Sequence, residues 1–363
     1  MNAQPRHLDA LTGIRGIAAW AVVLYHVRLS LTGILPADAI AVLGRGYLAV
    51  DLFFILSGFV IWYNYADRLA TGGARRTGEF LWRRFARIWP LHATMLAAFA
   101  TFAAMAALSG RPNPDMPFAQ LPLQLLLIQN WGFTAHTGWN VPAWSISTEF
   151  AAYLAFPGIV LIASKVRRPA TRLLLAAALA AAIQAIFSSH GYRSLGDDIS
   201  GLGLVRCLVE FSLGTIACMI WRASGARTAR AWPWVLAAAG WGTLGLVLGW
   251  PQTAVIPLFF TATILALASD TGPVSRILSV PAVVWLGEVS YSTYLSHTFL
   301  FLIFKLLFVD ETLQVGWAGL AAYLLIVLAT SALLYRLVER PAQRWLNARA
   351  PRWAAYRRPL PAN

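Results

Sequence analysis

Apolar runs of about 17–25 residues recur along the whole chain, each long enough to cross the hydrocarbon core of a bilayer as an α-helix. Lipid cannot hydrogen bond to the backbone, so a chain in a bilayer forms helices or a closed barrel. These runs are continuous, whereas barrel strands alternate polar and apolar residues. With 58% hydrophobic and 12% charged residues among 363, the sequence predicts an all-α, polytopic membrane helical bundle.

The apolar runs predict about ten transmembrane helices. They lie near residues 11–30, 47–66, 88–109, 143–164, 172–189, 201–221, 233–250, 252–269, 286–308 and 315–337. Within 110–142, the segment QLPLQLLLIQNWGF is apolar but too short to span, which predicts an interfacial or re-entrant segment or a partly buried loop. We expect a transmembrane domain over residues 1–345 and a basic cytoplasmic tail over 346–363 that lies on anionic lipid.

The net charge of +14 comes from arginines that cluster in alternate connections between the runs. By the positive-inside rule, this pattern places both termini in the cytoplasm and predicts a multi-pass protein of the bacterial inner membrane. We find no aromatic-interleaved basic domain outside the runs, so we expect membrane lipid and no nucleic acid as a partner.

Arg15 and His26 are eleven residues apart in the first run, LTGIRGIAAWAVVLYHVRLS. Eleven residues make nearly three helical turns, so both side chains share a face and lie roughly 16 Å apart along the axis. An arginine at the centre of a membrane helix costs about 2.5–3.5 kcal/mol, so such residues usually face a polar cavity. Alternatively, Arg15 snorkels to the inner surface and His26 lies at the outer interface.

Several polar residues fall in the outer half of the predicted bundle. Asp51 and Glu149 lie there with His26, and either carboxylate could fix the tautomer of the histidine and raise its basicity. Together they predict an aqueous pocket that opens outward. Two simpler explanations exist: Arg206 and Glu210, spaced i,i+4, form a buried ion pair, and the other acids lie in first helical turns where the dipole favours them.

Two further groups of polar residues lie elsewhere in the sequence. In LWRRFARIWPLH, Arg84 and Arg87 share a helix face and suit bidentate phosphate contacts, although positive-inside anchoring also explains them. In the ninth run, Ser290, Tyr294 and His297 form a polar stripe. Such a stripe is either a hydrogen-bonding seam between helices or the lining of a substrate-binding cavity.

Six segments occur in order along the chain: LDALTGIRGIAAWAVVLYH, GYLAVDLFFILSGFVIW, RRFARIWPLH, WSISTEFAAYLAFP, LGEVSYSTYLSH and VERPAQRW. Together they resemble the acyltransferase-3 family of integral membrane acyltransferases. The resemblance implies ten helices, an acyl-coenzyme A donor (acetyl-coenzyme A by family analogy) from the cytoplasm, and O-acylation of a carbohydrate or glycolipid acceptor. Many members carry a fused esterase-like domain that has no counterpart here, so we expect the membrane domain or a partner to recognise the acceptor.

The resemblance also implies which residues form the site. The Arg-x10-His motif of the family falls on Arg15 and His26, and its Arg-x-x-Arg motif falls on Arg84 and Arg87. The three arginines are expected to bind the phosphates of the acyl-coenzyme A. The acidic positions of the family fall on the two carboxylates named above, which are expected to assist catalysis: Asp51 and Glu149. No metal is expected.

These observations predict an O-acyltransferase that acts on a surface polysaccharide, a lipid-linked sugar or a glycosylated metabolite. His26 would act as general base, and an acyl-histidine intermediate is the other possible chemistry. The alternative function is a transporter or flippase for a carbohydrate or lipid. Transporters commonly show repeated halves with paired broken helices, and we see no such symmetry in this sequence.

Overall fold

The computed structural model describes residues 8–225, 230–270, 272–351 and 353–354, and these residues form helices and connecting loops without a β-strand. In chain order, the helices are α1 (Asp9–Val27), α2 (Ala37–Leu43), α3 (Ala49–Leu108), α4 (Leu121–Leu125), α5 (Ala143–Ala163), α6 (Pro169–Ser189), α7 (Ile199–Ala223), α8 (Trp232–Val247), α9 (Gln252–Ser269), α10 (Pro273–Leu278), α11 (Pro281–Phe308), α12 (Trp317–Leu334) and α13 (Arg340–Ala348). Most of the expected tail, residues 352 and 355–363, lies outside the described residues.

Eight helical stretches of the described chain are long and apolar enough to cross a membrane, which confirms the all-α membrane bundle. One of them, Ala37–Leu108, contains two of the ten predicted runs. Within this stretch, α3 divides at Gly73, whose φ of 57° and ψ of −158° are not helical. The two parts are residues 49–72 (α3a) and 74–108 (α3b). The remaining predicted run corresponds to α8, which has only 16 residues.

One end of the bundle carries the main arginine clusters. There Arg222 on α7 pairs with Asp67 on α3a at 2.6 Å, and the Trp82 indole of α3b donates to the Leu346 carbonyl of α13 at 3.1 Å. The start of α1 packs against α10 at the same end, so both described ends of the chain lie there. We call this the basic end, formed by residues 67–87, 165–172, 219–225, 273–278, 340–351 and 353–354.

Residues 110–142 lie at the opposite end and contain no spanning helix, as expected. They are fixed to the neighbouring helices by hydrogen bonds: Ser200 of α7 donates to the Ala135 carbonyl at 2.8 Å. The buried amide of Asn140 donates to the Leu295 carbonyl of α11 at 2.9 Å. Its short helix α4 also reaches the middle of α3b, where the Trp89 indole donates to the Leu125 carbonyl at 3.0 Å. These contacts fit a re-entrant segment as well as a partly buried loop, and they help to position α11.

The main core lies where α3a crosses α7 and α5, with the Phe156 and Phe211 ring centroids 5.8 Å apart. Two glycines bring the backbones of α3a and α7 together. A Cβ on Gly58 would lie 1.9 Å from the Phe211 carbonyl oxygen, and one on Gly214 would lie 1.8 Å from the Ile55 carbonyl oxygen. Small residues at such crossings allow the close backbone packing that stabilises membrane helices.

The helices α1 and α11 pack side by side and run parallel. The Arg15 guanidinium donates to the Gly287 carbonyl at 2.8 and 3.2 Å, and eleven residues further along α1, His26 lies against His297 of α11. A Cβ on Gly287 would come within 1.9 Å of a carbonyl oxygen of α1, so the two helices are in close contact. This α1–α11 seam sets the positions of both residues of the Arg-x10-His motif.

Gly58→Ala is expected to destabilise the protein by about 1–3 kcal/mol, because the added methyl group must push α3a away from α7. The thermal midpoint of the purified protein in detergent measures the loss. Gly240→Ala in α8 is the matched control, since nothing lies within 4 Å of the added carbon. Equal midpoints for the two variants would contradict the close crossing.

Candidate active site

Two cavities lie inside the bundle between the basic end and the opposite end. The first, which we call the basic cavity, is lined by charged and polar side chains that include Arg15, Arg84, Arg87, Glu149 and Ser290. The second, the histidine cavity, is lined by residues that include Tyr25, His26, Tyr47, Trp144 and Asp197. The structure therefore separates the predicted site residues into two groups.

Three guanidinium groups face the basic cavity. Arg84 donates to the Tyr65 hydroxyl at 3.0 Å, while its Nε is buried without a hydrogen-bond partner. Arg87 forms an ion pair with Glu339. Among the described residues, neither Arg15 nor Arg84 has a carboxylate within ion-pair distance. Buried cations without a counter-ion are unfavourable, so this cavity suits an anionic ligand.

Glu149 is the one carboxylate among the residues that line the basic cavity. Its Oε1 accepts hydrogen bonds from the Ser57 hydroxyl and the Tyr153 hydroxyl, both at 2.6 Å. Even when Glu339 is counted with it, three arginines face two carboxylates, which leaves one positive charge in excess. The carboxylate of Glu149 lies in the basic cavity. It is not beside His26, so the expected pairing of Glu149 with His26 is wrong.

The two histidines of the α1–α11 seam are in direct contact. Nδ1 of His297 lies 3.2 Å from the Thr293 carbonyl, and Nδ1 of His26 lies 2.9 Å from the Val22 carbonyl and 3.1 Å from Nε2 of His297. Backbone carbonyl oxygens only accept hydrogen bonds, so the hydrogen-bond network assigns a proton to Nδ1 of each histidine. Nε2 of His297 then accepts from the Nδ1–H of His26. Nε2 of His26 is then unprotonated and can accept a proton.

Asp51 pairs with Arg206 and not with His26, so the expected pairing is wrong. Arg206 donates from Nε to Oδ1 of Asp51 at 2.6 Å and from Nη2 to Oδ2 at 2.7 Å, and both side chains are fully buried. The expected Arg206–Glu210 ion pair is therefore absent, and both carboxylate oxygens of Glu210 are buried without a hydrogen-bond partner in the described chain. Counting residues along each run did not give the helix that each of these groups faces.

The polar stripe on α11 is divided among three environments. Ser290 lines the basic cavity and donates to the Gly287 carbonyl at 2.7 Å. Tyr294 lines both cavities, with its hydroxyl 2.8 Å from the Ser145 hydroxyl. His297 is fully buried behind His26. The stripe is thus both a seam and a lining, which the sequence had offered as alternatives.

Glu339 was not identified as a site residue from the sequence. It ends a π-helical turn, Tyr335–Glu339, and is 2% exposed. One carboxylate oxygen accepts from Arg87, and the other accepts from the Ser292 hydroxyl at 2.7 Å. Glu339 belongs to the segment VERPAQRW, which directly follows the tenth apolar run. A glutamate within a segment that resembles the family was the one signal that the sequence offered for it. Isolated π turns are frequent at functional sites.

Comparisons with known proteins confirm the resemblance seen in the sequence. Residues 8–336 match a family model described as an acyltransferase domain. The chain is 30% identical over 388 residues to acyltransferase MdmB of Streptomyces mycarofaciens, which covers 95% of this chain and 94% of that protein. It is 27% identical over 315 residues to exopolysaccharide production protein ExoZ of Rhizobium meliloti (strain 1021), with 84% and 92% covered. No solved structure matches the chain.

Asp51→Leu is expected to destabilise the protein by about 3–5 kcal/mol, because it leaves the Arg206 guanidinium buried without its partner. The double variant Asp51→Leu with Arg206→Met removes both charges and is expected to recover most of the loss. Thermal midpoints of the three proteins in one detergent provide the comparison. If the double variant is no more stable than Asp51→Leu, the ion pair does not explain the burial of these residues.

Proposed function

This chain belongs to the acyltransferase-3 family and is an acyltransferase, and on that premise we propose that it transfers an acyl group from acyl-coenzyme A to a hydroxyl group of a carbohydrate-type acceptor. One observation carries the proposal: a cationic cavity and a cavity with an available histidine nitrogen meet inside the bundle. The family resemblance favours acetyl as the acyl group. The name of ExoZ refers to exopolysaccharide production, which supports a carbohydrate acceptor.

The basic cavity is the proposed donor site. Arginine presents a planar fork of N–H donors that matches phosphate oxygens, and Arg84 lines the cavity without a carboxylate partner among the described residues. Arg15 and Arg87 add positive charge on the other sides of the cavity, and Glu339 holds Arg87 in position. The positive-inside rule favours a cytoplasmic basic end, which is the side where acyl-coenzyme A is available.

The α1–α11 seam sets the proposed orientation of the bound donor, from the basic cavity toward the histidine cavity. Arg15 contributes to the basic cavity and His26 to the histidine cavity, and eleven residues of one helix separate them. This separation, roughly 16 Å along the axis, is comparable to the length of an extended pantetheine arm. Phosphates bound among the arginines would therefore place the thioester close to His26.

The proposed reaction uses Nε2 of His26 as general base. It removes the proton from the acceptor hydroxyl as that oxygen attacks the thioester carbonyl carbon. The carbon–sulfur bond breaks, and the imidazolium returns the proton to the leaving thiolate, so the products are the ester and free coenzyme A. The Nδ1–H of His26 donates toward Nε2 of His297, which fixes the ring and its tautomer. His297 is thus a positioning residue.

The histidine cavity has the composition expected of a sugar site. The aromatic rings of Tyr25, Tyr47 and Trp144 line it, with Arg28 over one face of Tyr25 and Arg206 over Trp144. Ser194 and Asp197 add polar groups that can hydrogen bond to hydroxyls. We therefore place the acceptor here. Of the polar stripe of α11, which the sequence offered as one possible substrate-binding lining, Tyr294 lines this cavity and Ser290 does not.

Incubating the purified protein with labelled acetyl-coenzyme A and candidate glycan acceptors tests the proposed function. We expect label in the glycan and release of coenzyme A in equal amounts. A transporter or flippase would instead move the glycan into liposomes without consuming the donor, and that result would contradict the proposal.

Arg84→Gln is expected to weaken binding of acetyl-coenzyme A by about 10–100-fold, since a hydrogen bond to a charged group contributes roughly 1.5–3 kcal/mol. Calorimetric titration of the protein in nanodiscs measures the affinity. Arg83→Gln is the matched control: this neighbour is 44% exposed and pairs with Glu79 at 3.0 Å, so it should bind the donor as the wild type does. Equal weakening in both variants would assign Arg84 to general surface attraction.

His26→Gln is expected to lower the transfer rate by roughly 10²–10⁴-fold, the usual contribution of a general base, without changing donor affinity. His297→Leu should lower kcat to a smaller extent, because the base remains but loses its orienting partner. His190→Gln, at the exposed end of α6, is the control and should retain activity. Wild-type turnover by His26→Gln would contradict the assigned base.

A further inference from the structure

The basic cavity and the histidine cavity touch at one place. Among the described residues that line them, only Val50 and Tyr294 belong to both linings. Val50 lies at the start of α3a and Tyr294 in the middle of α11, and both are at most 5% exposed. These two side chains form the wall between the cavities.

Tyr294 is held across this contact at its hydroxyl and at its ring. The hydroxyl lies 2.8 Å from the Ser145 hydroxyl and donates to the Pro142 carbonyl at 3.2 Å. The ring makes an edge contact with Phe53 on the basic side, 5.9 Å between centroids, and lies 6.1 Å from the ring of His297 on the other side. Both hydrogen bonds run to the start of α5, so rotation of one side chain would break them.

We propose that Val50 and Tyr294 form a gate that separates the two cavities when no donor is bound and limits which acyl chain reaches His26. The phosphate-binding arginines lie on one side of the gate and the histidine base on the other. A thioester bound from the basic side must therefore displace the Tyr294 ring, and the opening that remains beside Val50 sets the width for the acyl group. The selection of the acyl chain by the gate rests on the proposed function. The separation of the two cavities by Val50 and Tyr294 does not.

A cysteine reporter tests the separation without any assay of activity. Cys207 and Cys218, the two cysteines of the chain, are buried and would be replaced by alanine. Ser290→Cys then places one thiol on the lining of the basic cavity alone. A membrane-impermeant methanethiosulfonate with a quaternary ammonium group is applied to right-side-out spheroplasts and, separately, to inside-out membrane vesicles.

With the wild-type gate, we expect the thiol to react from one membrane side only. Tyr294→Ala should make it react from both sides, and Tyr25→Ala, which removes an aromatic ring from the histidine cavity alone, should not. Labelling from both sides with Tyr294 present, or from one side in Tyr294→Ala, would overturn the gate. Val50→Ala provides a second, milder opening should Tyr294→Ala fail to fold.

Donor selectivity gives the second readout. In Val50→Ala and Tyr294→Ala, the kcat/KM ratio of butyryl- to acetyl-coenzyme A should rise about tenfold or more, since one methylene fitted into a site changes such a ratio by roughly 10–200-fold. Ser290→Ala, on the basic cavity alone, should leave the ratio unchanged. An unchanged ratio in the gate variants would overturn the selective role. One-sided labelling of a protein that turns over no donor would refute the proposed function and leave the gate standing.

Discussion

A charged side chain inside a membrane bundle needs a counter-charge or a polar cavity, and this requirement organises the structure. Asp51 and Arg206 form a fully buried, bidentate ion pair, so neither charge needs a ligand. Arg87 is partly neutralised by Glu339. Arg84 and Arg15 have no such partner in the described chain and face a cavity. The degree of pairing thus separates structural charges from those available to a ligand.

The α1–α11 seam connects the cavity that holds the arginines with the cavity that holds His26. Because the two helices run parallel and in close contact, Arg15 is fixed beside Gly287 and His26 beside His297. The seam passes from the basic cavity to the histidine cavity, with Tyr294 between them on α11. Under the proposed function, a donor bound at the arginine end and a base at His26 would keep a constant separation, which transfer from a long, flexible thioester requires.

Much of the fold could be predicted from the sequence, because the membrane imposes a length on every crossing. The ten apolar runs correspond to helical segments of the structure once Gly73 divides α3 and the short α8 is included. The neighbours of the polar residues could not be predicted in this way. Glu149 was expected in the outer half with His26, yet it shares the basic cavity with Arg15, Arg84 and Arg87. Asp51 pairs with Arg206 because the rotation of α3a about its axis, which counting along a run does not give, sets the helix that Asp51 faces. Glu339 was missed because its contact is with Arg87, which lies 252 positions earlier in the chain.

We infer that donor and acceptor occupy separate cavities and meet at His26. A cryo-electron microscopy structure with a non-hydrolysable acetyl-coenzyme A analogue tests this arrangement. We expect phosphates in contact with Arg84 in the basic cavity, the arm passing a displaced Tyr294, and the acyl end beside His26. A nucleotide bound outside the basic cavity, or an acyl end that points away from His26, would contradict it.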